Sequence, residues 1–166
     1  MVTGGVRSGK SRHAEQLLSE AGPVRYVAPG PIRDDADWAA RVAAHRVRRP
    51  ESWTTVETAD LVAALGTDQP VLVDCLGTWL TRLIDEAERW DDAADELLAW
   101  VETQTAAVVE ALGADVVLVT NEVGLGVVPE HRSGRLFRDL LGTVNQHLAA
   151  ACDEVHLVIA GRTIKL

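Results

Sequence analysis

The sequence predicts an α/β fold with a mostly parallel sheet covered by helices on both faces. Three observations predict it. Short apolar runs alternate with helical patterns along the chain, as in "VRYVA" (24–28), "VLVDC" (71–75), "DVVLVT" (115–120) and "EVHLVIA" (154–160). The runs are short and mainly apolar, as strands of a parallel sheet covered on both faces are. And "VTGGVRSGKSRHAEQLL" (2–18) carries a glycine-rich turn opening directly into a helix, the G-x-x-x-x-G-K-[ST] pattern that cradles phosphate.

The elements follow in order. Thr3 ends a first strand that is short, because only Met1 and Val2 precede it, and residues 11–21 read as the helix after the turn. Residues 24–28 form the next strand. Residues 35–46 have a helical apolar face at Trp38, Val42 and His45, and residues 60–66 read as a short helix. The strand 71–75 carries a carboxylate, Asp74, at its end. A long helical stretch then runs from Leu76 to Leu112, with a break expected near Trp90-Asp91-Asp92, where an aspartate N-cap restarts it. The strand 115–120, a helix over 134–151 and a last strand over 154–160 complete the series. No repeat, linker or low-complexity segment interrupts it, so residues 1–166 are read as one domain.

Bulk properties exclude several functions. The chain has 166 residues and a formal net charge of −9, where a nucleic-acid binder is expected to be basic. No apolar run has the length of a membrane span, and the phosphate loop starts too soon to leave room for a signal peptide. The two cysteines, Cys75 and Cys152, lie in apolar surroundings without ligand spacing. They read as reduced thiols of a cytoplasmic protein, with no structural zinc.

In parallel α/β sheets, ligands bind beyond the carboxyl ends of the strands. Four polar clusters are expected there: Gly4 to Ser11, the loop 29–35, Asp74, and Asn121-Glu122. In the first, backbone N–H groups of Gly4, Gly5, Val6, Arg7, Ser8 and Gly9 turn toward phosphate oxygens, and the helix N-terminus adds positive potential. Lys10 is placed to reach the β- and γ-phosphates, and the Ser11 hydroxyl to bind Mg²⁺. Asp74 reads either as the carboxylate that holds Mg²⁺ or its water, or as the N-cap of the helix that follows. In "AAHRVRRPESW" (43–53), His45 stands beside Arg46, Arg48 and Arg49 in an otherwise acidic chain. Guanidiniums in such number suit polyphosphate, and an imidazole among them can attack phosphorus. On composition alone, a helix-end histidine beside a solvated basic face is the commoner arrangement. In "TNEVGLGVVPEHRSGRLFRDLL" (120–141), Asn121 and Glu122 are candidates to order water, metal or an acceptor hydroxyl. Gly124 and Gly126 suggest close backbone approach or positive φ. Arg132, Arg135 and Arg138 either face phosphate or form surface ion pairs. The five tryptophans read mostly as core or interface residues.

Taken together and in this order, "VTGGVRSGKSRHAE", "AAHRVRRPESWTTVE", "VDCLGTWLT", "VTNEVGLGVVPE" and "FRDLLGTVNQHLAAACDEVHLVIAG" resemble the bifunctional adenosylcobinamide kinase / adenosylcobinamide-phosphate guanylyltransferase family of cobalamin biosynthesis. The resemblance covers essentially the whole chain. It implies a RecA-like P-loop fold, and a homotrimer with active sites near subunit interfaces. It implies two reactions: phosphorylation of the aminopropanol hydroxyl of adenosylcobinamide by ATP or GTP, then transfer of GMP from GTP to that phosphate through a guanylylated histidine. The matching histidine is His45; His13 belongs to the helix of the phosphate loop. By the same resemblance Arg46, Val47, Arg48 and Arg49 contact GTP and Glu57 serves the nucleotide. A carboxylate suits guanine, whose ring N–H and exocyclic amine it can accept together. This chain departs from the family pattern at Pro29, where threonine is common, and at Gly77 and Arg82, where threonine and asparagine are frequent. Two other readings stand beside this one: a single-activity P-loop small-molecule kinase with a structural His45, and a non-catalytic GTP-binding module. Neither accounts for a histidine embedded in "HRVRRP".

Overall fold

The computed structural model describes residues 1–31 and 49–166. The helix expected over 35–46 lies outside the described residues, as do His45, Arg46, Val47 and Arg48. The elements are β1 (Val2–Gly4), α1 (Lys10–Leu17), β2 (Arg25–Val27), β3 (Thr54–Val56), α2 (Leu61–Leu65), β4 (Val71–Asp74), α3 (Leu76–Glu86), α4 (Ala94–Glu110), β5 (Val116–Val119), α5 (Arg132–Ala150), β6 (His156–Ile159) and β7 (Arg162–Lys165). The strands form one sheet in the order β3-β2-β4-β5-β1-β6-β7. Every pairing is parallel except β6 with β7. The expected α/β class is what is found.

Alternation along the strands divides the core between the two faces of the sheet. Val71 and Val73 of β4, Val27 of β2 and Leu118 of β5 join Leu61, Trp79, Leu97, Val101, Leu141 and Val144 beneath α2, α3, α4 and α5. The intervening residues Leu72, Tyr26 and Val119 point the other way, to Ala14 and Leu18 from the α1 side and to Trp53. Helices therefore cover both faces, as the unbroken apolar strands predict.

Local chemistry sets the element ends. Asp60 caps α2, its carboxylate accepting from the Ala63 N–H at 3.0 Å. At α3 the N-cap is Cys75, not Asp74. The Thr78 hydroxyl accepts from the Cys75 N–H at 3.4 Å, so the capping reading of Asp74 does not hold. The helical stretch does break where expected, but α4 restarts from Ala93 without a side-chain cap. Asp92 is instead engaged by Arg89 Nε at 2.5 Å. The first helix is shorter than expected, ending at Leu17. Two strands have no counterpart in the sequence reading. β3 pairs with β2 through Thr54, Thr55 and Val56. β7 returns from β6 over a two-residue turn, Ala160-Gly161, both at positive φ (49° and 75°), the backbone of a tight hairpin turn.

β1 and β5 are neighbours, but their outgoing connections run to opposite sides of the sheet, β1 toward β2 and β5 toward β6. A crevice opens at the carboxyl ends of strands so connected. Gly4, Val27, Val56, Asp74 and Val119 close the parallel strands β1 to β5 on that side. Three of the four clusters expected at one end thus share it, with the described part of the fourth, 29–31, following β2.

Candidate functional site

The loop from Gly4 to Lys10 is held by its neighbours. The Ser8 N–H donates to the Gly5 carbonyl at 3.3 Å, and the Gly161 N–H of the β6–β7 turn donates to the Ser8 carbonyl at 2.8 Å. From the β5 side, the Glu122 N–H donates to the Gly4 carbonyl at 3.1 Å. Gly9 sits at φ 100°, a left-handed conformation that favours glycine, and is the N-cap of α1. A glycine cap adds no side chain over the helix start, so the first-turn amides and the helix dipole face the loop. Ser8 Oγ, in the loop, and Thr3 Oγ1, just before it, are buried without a hydrogen-bond partner among the described residues. Buried polar atoms of this kind call for a ligand or water.

Lys10 is 7% exposed, and its ammonium donates to the Gly5 carbonyl at 3.2 Å. The lysine therefore folds over its own loop, where a phosphate would compete for it. Its charge also reaches Cys75, and so does that of Asp74. Burial is the main cause that pushes the Cys75 thiol up, and Asp74 adds to it, while Thr78 and Lys10 oppose. Lys10 opens α1 after the phosphate loop and Asp74 ends β4, and both bear on the Cys75 thiol.

Gly4 is required by close approach. A Cβ there would overlap the Val158 carbonyl and lie 2.7 Å from Ser8 Oγ, whereas a Cβ on Gly5 meets nothing within 4 Å. Overpacking of this kind costs about 1–3 kcal/mol. Gly4→Ala is expected to lose stability in that range in urea unfolding and to bind nucleotide more weakly. Gly5→Ala should stay near wild type in stability. Equal stability of the two variants would contradict this packing.

Asp74 accepts a hydrogen bond from the Tyr26 hydroxyl at 3.2 Å. The guanidinium of Arg49 lies over the Tyr26 ring, 3.7 Å from its centroid, and donates to Thr55 Oγ1 at 3.1 Å. Burial first, then Asp74, raises the Tyr26 phenol well above its ordinary value, so it remains a hydroxyl donor. Tyr26 was not among the sequence-derived candidates. Its only signal was its place in the strand beside "VLVD", and that adjacency exists only in the folded sheet. Glu57 follows β3 at the same edge and is exposed. Four inter-strand steps separate β3 from β1, roughly 19 Å at ~4.8 Å each, so Glu57 and the phosphate loop would meet different ends of an extended ligand.

In the segment after β5, Glu122 and the arginines engage the backbone. Glu122 Oε1 accepts from the Gly124 N–H at 2.9 Å and so shapes its own loop. A Cβ on Gly124 would lie 3.0 Å from that oxygen, which is the expected close approach. Gly126 has nothing within 4 Å, and neither glycine has positive φ. Arg138 donates to the carbonyls of Gly124 (2.8 Å) and Gly126 (3.3 Å), Arg135 to those of Pro129 (3.2 Å) and Glu130, and Arg132 to those of Trp90 and Asp92. These arginines clamp backbone. Leu125 and Val127, 88% and 96% exposed, project from the clamped loop.

His13, set apart from the site by sequence reasoning, pairs elsewhere. Its Nε2 lies 2.8 Å from His156 Nδ1, and His156 Nε2 lies 3.1 Å from Glu154 Oε2. Burial and His156 both lower its pKa. This chain of groups joins α1 to β6 and leaves the phosphate loop to Lys10.

Among the described residues, no three His, Cys, Asp or Glu side chains group to hold a metal. The donors that the sequence offers for Mg²⁺, the Ser11 hydroxyl and the Asp74 carboxylate, are hard oxygens at the start of α1 and the end of β4. That set fits Mg²⁺, which takes one or two carboxylates and completes its shell with water and substrate phosphates. No described helix is long and apolar enough to cross a membrane.

Comparison with known proteins agrees with this geometry. The family described as cobinamide kinase / cobinamide phosphate guanyltransferase matches residues 1–166. The bifunctional adenosylcobalamin biosynthesis protein CobU of Salmonella typhimurium is 46% identical, over 100% of this chain and 98% of its own length. The CobU protein of Escherichia coli is 45% identical with the same coverage. The bifunctional adenosylcobalamin biosynthesis protein CobP of Pseudomonas aeruginosa is 37% identical, over 100% of this chain and 95% of its own length. With the phosphate loop, the parallel sheet and a match spanning every residue, the chain belongs to the cobinamide kinase / cobinamide phosphate guanyltransferase family.

Proposed function

We propose that this chain is a bifunctional enzyme of cobalamin biosynthesis that first phosphorylates adenosylcobinamide and then guanylylates the product. The observation that carries the reading is the phosphate loop between β1 and α1, with Asp74 ending β4 on the same side of the sheet, inside a whole-length family match.

In the first reaction the aminopropanol hydroxyl attacks the γ-phosphorus of ATP or GTP, and the nucleoside diphosphate leaves. Gly4 to Gly9 orient the phosphates through backbone N–H groups, and Lys10 exchanges its Gly5 carbonyl for the transferring group, where negative charge develops. Ser11 and Asp74 would hold Mg²⁺. That ion would offset the negative charge that develops on the phosphates during transfer. In the second reaction a ring nitrogen of neutral His45 attacks the α-phosphorus of GTP, and pyrophosphate leaves into the loop. An oxygen of adenosylcobinamide phosphate then attacks the guanylyl phosphorus, giving adenosylcobinamide-GDP and restoring His45. The covalent intermediate divides one difficult transfer into two displacements. Arg46, Val47, Arg48 and Arg49 line the nucleotide. The arginines disfavour a cationic imidazole and so keep His45 nucleophilic. Glu57, at the far edge of the sheet, reads guanine. The homotrimer that the resemblance implies and the cytoplasmic location that the two cysteines suggest belong to this proposal.

Product analysis tests it. With adenosylcobinamide, GTP and Mg²⁺, mass spectrometry should detect the phosphate ester first and the GDP derivative later. An ester that never advances would leave a single-activity kinase, and no product beside bound GTP would leave a binding module.

A further inference from the structure

One side chain touches both halves of this site. Tyr26, on β2, is 5% exposed and faces the sheet side that carries α1. Its hydroxyl donates to Asp74 Oδ2 at 3.2 Å, across the parallel pairing of β2 with β4. Its ring face carries the Arg49 guanidinium at 3.7 Å. Arg49 in turn donates to Thr55 Oγ1 at 3.1 Å on β3, the strand on the other side of β2. Arg49 closes the basic segment that begins just after His45, and Asp74 is the carboxylate at the end of β4. A buried ring with one polar tip has few ways to move. If Arg49 is displaced, the ring must follow or the stack is lost, and the bond to Asp74 changes with it.

We propose that Tyr26 is a positioning residue that couples Arg49 to the Asp74 carboxylate, so that a guanidinium assigned to the nucleotide and the carboxylate assigned to the metal share one mechanical joint. The proposal rests on the function proposed above for its assignment of Asp74 and the basic segment to nucleotide handling. Tyr26 itself touches no reacting atom.

The test is Mn²⁺ binding to the full chain carrying bound β,γ-imido-GTP, with free nucleotide removed, read as loss of the free-ion electron paramagnetic resonance signal. It is made on wild type, Tyr26→Phe, Arg49→Ala and the double variant. Tyr26→Phe keeps the ring under Arg49 and removes only the bond to Asp74. It should weaken Mn²⁺ by roughly three- to tenfold, about what one typical hydrogen bond contributes net. The Mg²⁺ concentration for half-maximal kinase rate should rise by the same factor, with kcat at saturating Mg²⁺ retained. Arg49→Ala should change Mn²⁺ affinity in the wild-type background and not in the Tyr26→Phe background, a non-additivity that independent sites do not show. Additive effects, or unchanged Mn²⁺ affinity in Tyr26→Phe, overturn the joint while leaving the proposed function standing. Wild type that binds nucleotide but no Mn²⁺ overturns the role of Asp74 and the joint together. Should Tyr26→Phe fail to fold, Arg49→Lys and Arg49→Ala test the joint from its other end. The lysine, lacking a planar guanidinium, must fall between wild type and alanine, and no change in either variant overturns the proposal.

Discussion

Lys10→Ala is expected to abolish phosphoryl transfer and to impair guanylylation, while the protein stays folded. The lysine is a buried cation of the phosphate loop, and its ammonium donates to the Gly5 carbonyl of the same loop. Alanine at the first position of α1 is a good helix former, so the helix should persist and thermal unfolding should move little. The loss falls on the transition state, where the ammonium meets charge spread over the transferring phosphoryl oxygens. Removing a donor of this kind costs on the order of 10²–10³ in rate, and a formal charge should sit at the upper end. Steady-state assays of both half-reactions check this. The kinase should lose kcat more than affinity, because an interaction strongest in the transition state lowers kcat. A folded variant with wild-type kinase kcat would remove Lys10 from the mechanism.

The second large effect is selective. His45→Ala should end guanylyl transfer, with a loss of at least ~10³-fold, since deleting a covalent nucleophile leaves only binding and electrostatics to act. The kinase reaction passes no group through an imidazole and should largely survive. Assays of the two half-reactions on the same preparation separate them, and a folded variant that loses both equally would refute the division of roles. The two substitutions are therefore complementary: one disables the shared phosphate loop, the other only the step that needs a nucleophile.

The sequence made the central sheet legible because burial on both faces leaves an unmistakable record. "VLV" (71–73) and "VVLV" (116–119) are apolar at every position since one residue meets α3, α4 and α5 and the next meets the α1 side. The edges left no such record. Thr54 and Thr55 of β3 are exposed, and all four residues of β7 are exposed, so neither strand shows an apolar pattern. The turn into β7 places Ala160 at positive φ, where sequence reasoning looks for asparagine or glycine. The cap of α4 was misplaced for a related reason. Asp92 has the composition of a cap, but Arg89 engages its carboxylate and Arg132 its carbonyl.

The candidate site divides in the same way. The phosphate loop is contiguous in sequence and carries its glycines, lysine and serine at fixed spacing, so it could be read directly. Asp74 could be read only as one of two roles, until Cys75 and Thr78 took the cap. Arg132, Arg135 and Arg138 carried the charge of a phosphate site, yet they hold loop carbonyls, a use that no spacing distinguishes. The junction of Tyr26, Arg49 and Asp74 joins residues far apart in the chain across three neighbouring strands. It became visible only once β3, β2 and β4 were placed side by side.

The central claim is that a histidine of this chain carries GMP between GTP and the corrinoid phosphate. The most direct measurement is incubation with GTP labelled at the α-phosphate, without acceptor, on wild type and His45→Ala. The account predicts label on the wild type alone, stable to alkali and released by acid as a phosphoramidate is, and discharged when adenosylcobinamide phosphate is added. A folded wild type that binds GTP and takes up no label, or a His45→Ala variant that labels equally, would contradict it.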